Sequence, residues 1–223
     1  MNGRGLWIVI GVAGLVLVVT LAAYLRSAFS GDDAVAPRAV AASPSTPAVT
    51  DGSGAAPPTR AGQLAPAPAT DDPVEFTRVV AAAIFDWDTT SGHGIEEYVA
   101  RLVAIADPSG EETPGLVADL VGYLPTATAW ADLRTYSTRQ WLEVDSVQVP
   151  SLWPQAVAQA PEGALLPGSA GYTVTGVRHR AGVWQGDEVA SEHEVAFTVF
   201  IVCGPSYDRC HLLRLSRLDE PLD

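Results

Sequence analysis

Two cysteines, four histidines and a scatter of carboxylates are the residues equipped for chemistry. Cys203 and Cys210 flank the stretch GPSYDR, and the segments AFTVFIV and HLLRL on either side alternate like strands. A symmetric hairpin then sets the two thiols opposite each other, with Ile201 meeting Leu212, Phe200 meeting Leu213 and Thr198 meeting Leu215. Residues opposed at a non-hydrogen-bonded pair lie about 4.5 Å apart at Cα, within reach of a disulfide. A zinc site needs four ligands, or three and water, and would have to recruit His211 and His193 at a spacing that matches no common site. Catalytic redox pairs usually read Cys-x-x-Cys, a shorter spacing than this one. A disulfide staple is the first reading, with free buried thiols and a metal or redox role ranked behind it.

His93, His179, His193 and His211 are the histidines. His179 and His193 fall on neighbouring strands, and Glu192 and Glu194 flank the latter. That set is either a metal or acid–base site or, as the first reading, a row of solvent-facing strand side chains. PGSAG lacks the Gly-x-Ser-x-Gly pattern of a nucleophile elbow. Asp86 and Asp88 straddle Trp87 at a helix end and point to different faces, which suits capping and solvation better than a catalytic dyad. Every basic residue is arginine, so a P-loop lysine on phosphates and a Schiff-base amine are both excluded. A net charge of −13 argues against nucleic acid as a partner. The densest basic spot is Arg178, His179 and Arg180, which reads as a solvated strand face. Trp130, Trp141 and Trp153 suit a core, whereas Trp184 lies between Gly182 and Gly186 in a turn and is the candidate for exposure. Trp184, Arg178 and Arg180 are therefore the candidate interaction residues; no catalytic, cofactor-binding or metal-binding residue is assigned, and no cofactor is expected.

The elements that hold these residues begin with DDPVEF. Asp72 suits a helix cap, Pro73 the first helical position, and Glu75 completes a capping-box signal. Phe76, Val80, Ile84 and Trp87 follow at helical spacing. Ile95, Tyr98, Val99, Leu102 and Ile105 form the stripe of a second helix that stops before Pro108. TPGLVADLVGYL predicts a third, capped by Thr113. After Trp130 the pattern changes to strands: TRQWLEVDSVQV, whose alternation changes face near Asp145 and Ser146 as at a bulge, then GYTVTGVRHRAGVW, EVASEHEVAFTVFIV and HLLRLSRL. Helices first and a mainly antiparallel sheet after them predict an α+β domain over residues 71–223, with the helices on one face.

Residues 6–25 carry no charge. As a helix they span about 30 Å, the hydrocarbon thickness of a bilayer. A transmembrane anchor is expected there, in preference to a cleaved signal peptide whose apolar region is shorter, with residues 1–5 cytoplasmic. Residues 26–70 are Ala, Pro, Ser, Thr and Gly with few large apolar side chains, the composition of a disordered tether; extended, it would reach about 140 Å. A disulfide requires an oxidising compartment, which agrees with a C-terminal domain outside the cytoplasm.

YTVTGVRHRAGVW, AFTVFIVC and CHLLRLSRLDEPL, behind a single span and a proline-rich tether, resemble bitopic membrane proteins of actinobacterial conjugative elements. The order of helices and then a curved sheet resembles the cone-shaped nuclear-transport-factor-like fold, used outside the cytoplasm by a bitopic assembly subunit of type IV secretion systems and by TcpC-like conjugation proteins. The resemblance implies a non-enzymatic scaffold that forms homo-oligomers and contacts other membrane or channel subunits. Because the same fold hosts isomerases and dehydratases, the alternative it implies is an extracytoplasmic ligand-binding or isomerase-like domain.

Overall fold

The computed structural model describes residues 64–223. The expected span at residues 6–25, and the tether as far as residue 63, lie outside the described residues. Among the described residues no helix is long and apolar enough to cross a membrane.

Helix α1 (Pro73–Phe85) starts as its sequence dictates: the Glu75 N–H donates to Asp72 Oδ1 at 2.8 Å, and Pro73 occupies the first turn. Its buried stripe is Phe76, Val80, Ala81, Ile84 and Phe85. Trp87 does not extend that stripe, because Asp86 ends the helix in an extended conformation and Trp87 and Asp88 form the short strand β1 (Trp87–Asp88). Helix α2 (Ile95–Val103) buries Ile95, Tyr98 and Leu102, and the Glu97 carboxylate accepts the Gly94 N–H at its start. Helix α3 (Thr113–Leu120) is entered from Glu112 and not from Thr113, so the expected cap is one residue late. Helix α4 (Ala127–Thr135) is an addition to the expected set. Thr126 caps it by accepting the Ala129 N–H at 3.2 Å, and it buries Trp130.

The strands β2 (Arg139–Gln148), β3 (Ser169–Trp184), β4 (Asp187–Val202) and β5 (His211–Leu215) follow the alternating segments, and a short helix α5 (Trp153–Gln159) lies between β2 and β3. The sheet order is β1-β2-β3-β4-β5, antiparallel throughout. Five helices and this curled, half-barrel sheet make the domain α+β. The β2–β3 register shifts between Val144 and Ser146, where the sequence pattern changes face. β3 and β4 join through Gln185 and Gly186, both at positive φ (54° and 93°), the two-residue turn that matches the twist of paired strands.

One face of the sheet carries Val174, Val195, Phe197, Val199, Ile201, Leu212 and Leu215, all buried. Phe197 is fully buried, 5.5 Å by ring centroid from both Phe85 and Tyr123. Trp130 closes the other end of this core, 5.3 Å from Trp87 and 5.4 Å from Tyr98. The opposite, outer face is not bare. Helix α5 lies there, with Trp153 6.1 Å from Phe200, and its first turn accompanies the C-terminus, where the Leu152 N–H donates to the Asp223 carbonyl. Helix α5 is thus an addition to the expected helices: Phe200 and Gly171 leave an apolar spot on the outer face that the Trp153 ring fills.

Phe197→Ala should destabilise the domain by about 3–5 kcal/mol, and Trp184→Ala at the exposed end of β3 by less than about 1 kcal/mol, as read from urea unfolding of the two variants.

Candidate functional site

The hairpin between β4 and β5 is a clasp. Cys203 and Cys210 are joined in a disulfide, with Cα atoms 4.1 Å apart. The pairing beside it departs from full symmetry. Ile201 faces Leu212, but Phe200 faces Arg214 and Val199 faces Leu215, because Leu213 is an extra residue at a bulge. The clasp is tied in on two sides. The Cys210 N–H donates to the Thr70 carbonyl at 2.9 Å, and the Leu212 N–H donates to the Ile105 carbonyl at 2.8 Å. The Tyr207 hydroxyl donates to Asp107 Oδ1 at 2.6 Å, and the Ser109 hydroxyl donates to the other oxygen. Burial pushes the Asp107 carboxyl upward, but these hydroxyl donors outweigh it and hold the group below its ordinary range.

The run Arg178, His179, Arg180 divides between the two faces of the sheet. Arg180 lies on the helix side, half-buried, where its guanidinium donates to Gln140 Oε1 at 2.7 and 3.2 Å and sits 5.5 Å over the Trp87 ring. Burial, with Arg178 two residues away, lowers its pKa. Gln140 in turn donates to the Phe85 carbonyl at 3.3 Å, so Arg180 belongs to a chain of contacts that ends in α1. Arg178 shares that side and faces His193 across the β3–β4 pair. His179 lies on the outer face, stacked on Trp141 at 5.1 Å and 7°. Glu192 stands 3.2 Å and Glu143 3.5 Å from its ring nitrogens. His179 and His193 therefore point to opposite faces, and among the described residues no group of three or more His, Cys, Asp or Glu side chains is arranged to hold a metal ion. Asp86 accepts the Leu142 N–H at 3.2 Å and fastens the end of α1 to β2; burial raises its pKa.

Trp184 closes the long β3–β4 hairpin, half-exposed, with its ring 5.1 Å from Tyr136. Val183 and Val189 beside it are also exposed. A shallow hollow of about 340 Å³ lies on the helix side of this tip, bounded by Tyr136, Trp184 and Val189, and a second opens on the outer side next to Trp141 and Val183.

Two features have only a faint signature in the sequence. Arg214 grips Asp119 with two parallel bonds of 2.7 and 3.0 Å, and the same carboxylate accepts the Leu215 N–H at 3.1 Å, which locks α3 to β5. Gly115 lies beneath it, and a Cβ there would lie 2.6 Å from the guanidinium, so a larger residue would displace the Arg214 head. The signal was a single arginine interrupting the apolar HLLRL. Beside that pair runs a groove of about 400 Å³, walled by Trp153, Leu165, Leu166, Phe200 and Leu213 and rimmed by Glu111 and Glu112.

No protein-family model, curated protein or solved structure matches the chain.

Replacing both cysteines by serine should lower stability by about 2–3 kcal/mol, through the greater freedom of the unfolded chain, as a fall in urea midpoint that reductant reproduces in the wild type. Because the Asp107 pKa is depressed on folding, its stabilisation is present above the ordinary carboxylate range and is lost as pH falls through the lower folded value. Asp107→Asn should weaken the fold near neutrality and leave a flatter acid limb when unfolding is followed against pH.

Proposed function

We propose that the protein is a membrane-anchored, non-enzymatic assembly subunit of a conjugation or type IV secretion-like apparatus, working outside the cytoplasm through protein–protein contacts. The observation that carries this reading is the division of the sheet. Its helix-covered part is filled by Phe76, Phe85, Tyr123 and Phe197, while at the far end of the β3–β4 hairpin Trp184, Val183 and Val189 are exposed. The aromatic side chains fill the helix-covered side of the sheet, and an exposed aromatic with aliphatic neighbours is the chemistry of a contact surface.

The Cys203–Cys210 disulfide fits an oxidising compartment, and the uncharged stretch at residues 6–25 fits a single-pass anchor with its N-terminus in the cytoplasm. The α+β order, with helices packed on a curled sheet, is compatible with the cone-shaped nuclear-transport-factor-like fold of the subunits it resembles. Other channel subunits and further copies of the chain are the partners of this reading, with nucleic acid held at a distance by the net charge of −13. A second reading, an extracytoplasmic ligand-binding domain, is favoured by the apolar groove between α5 and β5.

Crosslinking in native membranes followed by mass spectrometry should recover channel proteins, conjugation ATPases or oligomers of the chain itself. A monomer recovered alone, beside a control that crosslinks efficiently, would sink the assembly role and turn attention to the groove.

A further inference from the structure

β4 is flanked on both sides along only part of its length. β5 pairs with Val199, Phe200, Ile201 and Val202. Beyond that, the Ser216 N–H donates to the Thr198 carbonyl at 2.9 Å and the Asp219 N–H donates to the Ala196 carbonyl at 2.8 Å. Both acceptors are even-numbered, so the even residues of β4 turn their backbone groups away from β3. That orientation alternates along a strand, and it carries the same outward aim to Glu194, Glu192, Ala190 and Glu188. Among the described residues no strand pairs with this edge, and residues 187–194 are all exposed.

The edge has one sign of charge. Glu188, Glu192 and Glu194 project on the outer face, with Asp187 at the turn, and the intervening Val189, Ser191 and His193 face the other way. Charged side chains on an open edge ordinarily block pairing with a second copy, and the register bears that out here. Whether a two-fold axis falls at Ala190, Ser191 or Glu192, antiparallel pairing of two such edges brings a glutamate opposite a glutamate, which is destabilising. A strand with arginine or lysine at alternate positions meets the opposite situation. Its basic side chains would fall beside Glu188, Glu192 and Glu194, and its other face would lie along Val189 and the hollow at Trp184.

We propose that the open edge of β4 at residues 187–194 takes an extended segment of a partner protein as a sixth strand, with alternate basic residues against the glutamates and apolar residues towards Val189 and Trp184. This rests on the reading of the protein as a subunit that works by contacts, and it names the chemistry of one such contact. Main-chain bonds to the edge supply affinity, and the side chains on the two faces supply selectivity.

The probe is a capped heptapeptide of alternating arginine and valine, titrated by calorimetry into the full-length protein in detergent, with an alternating glutamate and valine peptide as its counterpart. The basic peptide should bind, more weakly as salt rises, and the acidic one should not. Ala190→Pro removes one outward N–H and keeps the bonds to β3, a substitution that edge strands tolerate; it should weaken binding about tenfold or more. Glu188→Arg with Glu192→Arg, a surface change, should transfer binding to the acidic peptide. No binding of the basic peptide, binding indifferent to both variants, or self-association that Ala190→Pro abolishes would each overturn the proposal. Membrane partners recovered equally by the charge-reversed protein would overturn the edge and leave the assembly role standing. Edge binding by a protein that recovers no partners would do the reverse.

Discussion

A mismatch of lengths governs this domain. Helix α1 has 13 residues and rises about 20 Å, whereas β3 and β4 have 16 each and run about 54 Å. The helix layer buries the sheet only from Ile201 and Leu212 as far as Val195 and Gln140, and the β3–β4 hairpin beyond that has to be stable as a twisted ribbon. The tight Gln185–Gly186 turn, the Tyr136–Trp184 ring contact and the Arg180–Gln140 link are the means of holding it. The same mismatch separates two kinds of surface. Side chains near the helices are committed to the core, and those on the ribbon are left for solvent or for other molecules.

That separation places several chemistry-bearing residues of the sequence in ties between elements. Asp86 fastens a helix end, Asp107 gathers the hairpin loop, Asp119 holds Arg214, and Arg180 reaches through Gln140 to α1. Each carboxylate or cation is satisfied by a fixed partner. A group bound in this way stabilises a geometry.

The strands were legible because alternation is a strong signal: HPHP-like runs in β2 to β5 and the face change near Asp145 appear directly in the structure. Helix α1 was legible from its cap and stripe. Helices α4 and α5 were not, since α4 buries only Trp130 and α5 buries no residue fully, so neither carries an apolar stripe. The β4–β5 register was half legible. A bulge at Leu213 shifts it, and two adjacent leucines leave alternation with no preference for where the extra residue sits. The cysteine pair was legible because its members lie 7 residues apart in one hairpin. The Arg214–Asp119 grip joins residues 95 positions apart, a relation that no local pattern contains. Likewise the basic run looked like one patch in the sequence and is divided by the pleat, which sends His179 to one side and its arginine neighbours to the other.

The clasp has a mechanical meaning. The chain enters the domain through Thr70, whose carbonyl is held by the Cys210 N–H, two residues before Asp72 caps α1. A pull transmitted along the chain from before Thr70 would bear on Leu64, which packs against the core, and through the Thr70 carbonyl on the β4–β5 hairpin. The covalent bond between Cys203 and Cys210 keeps that hairpin from peeling open at its loop. Load at the entry point is thus divided between the core and a covalently closed ring of chain.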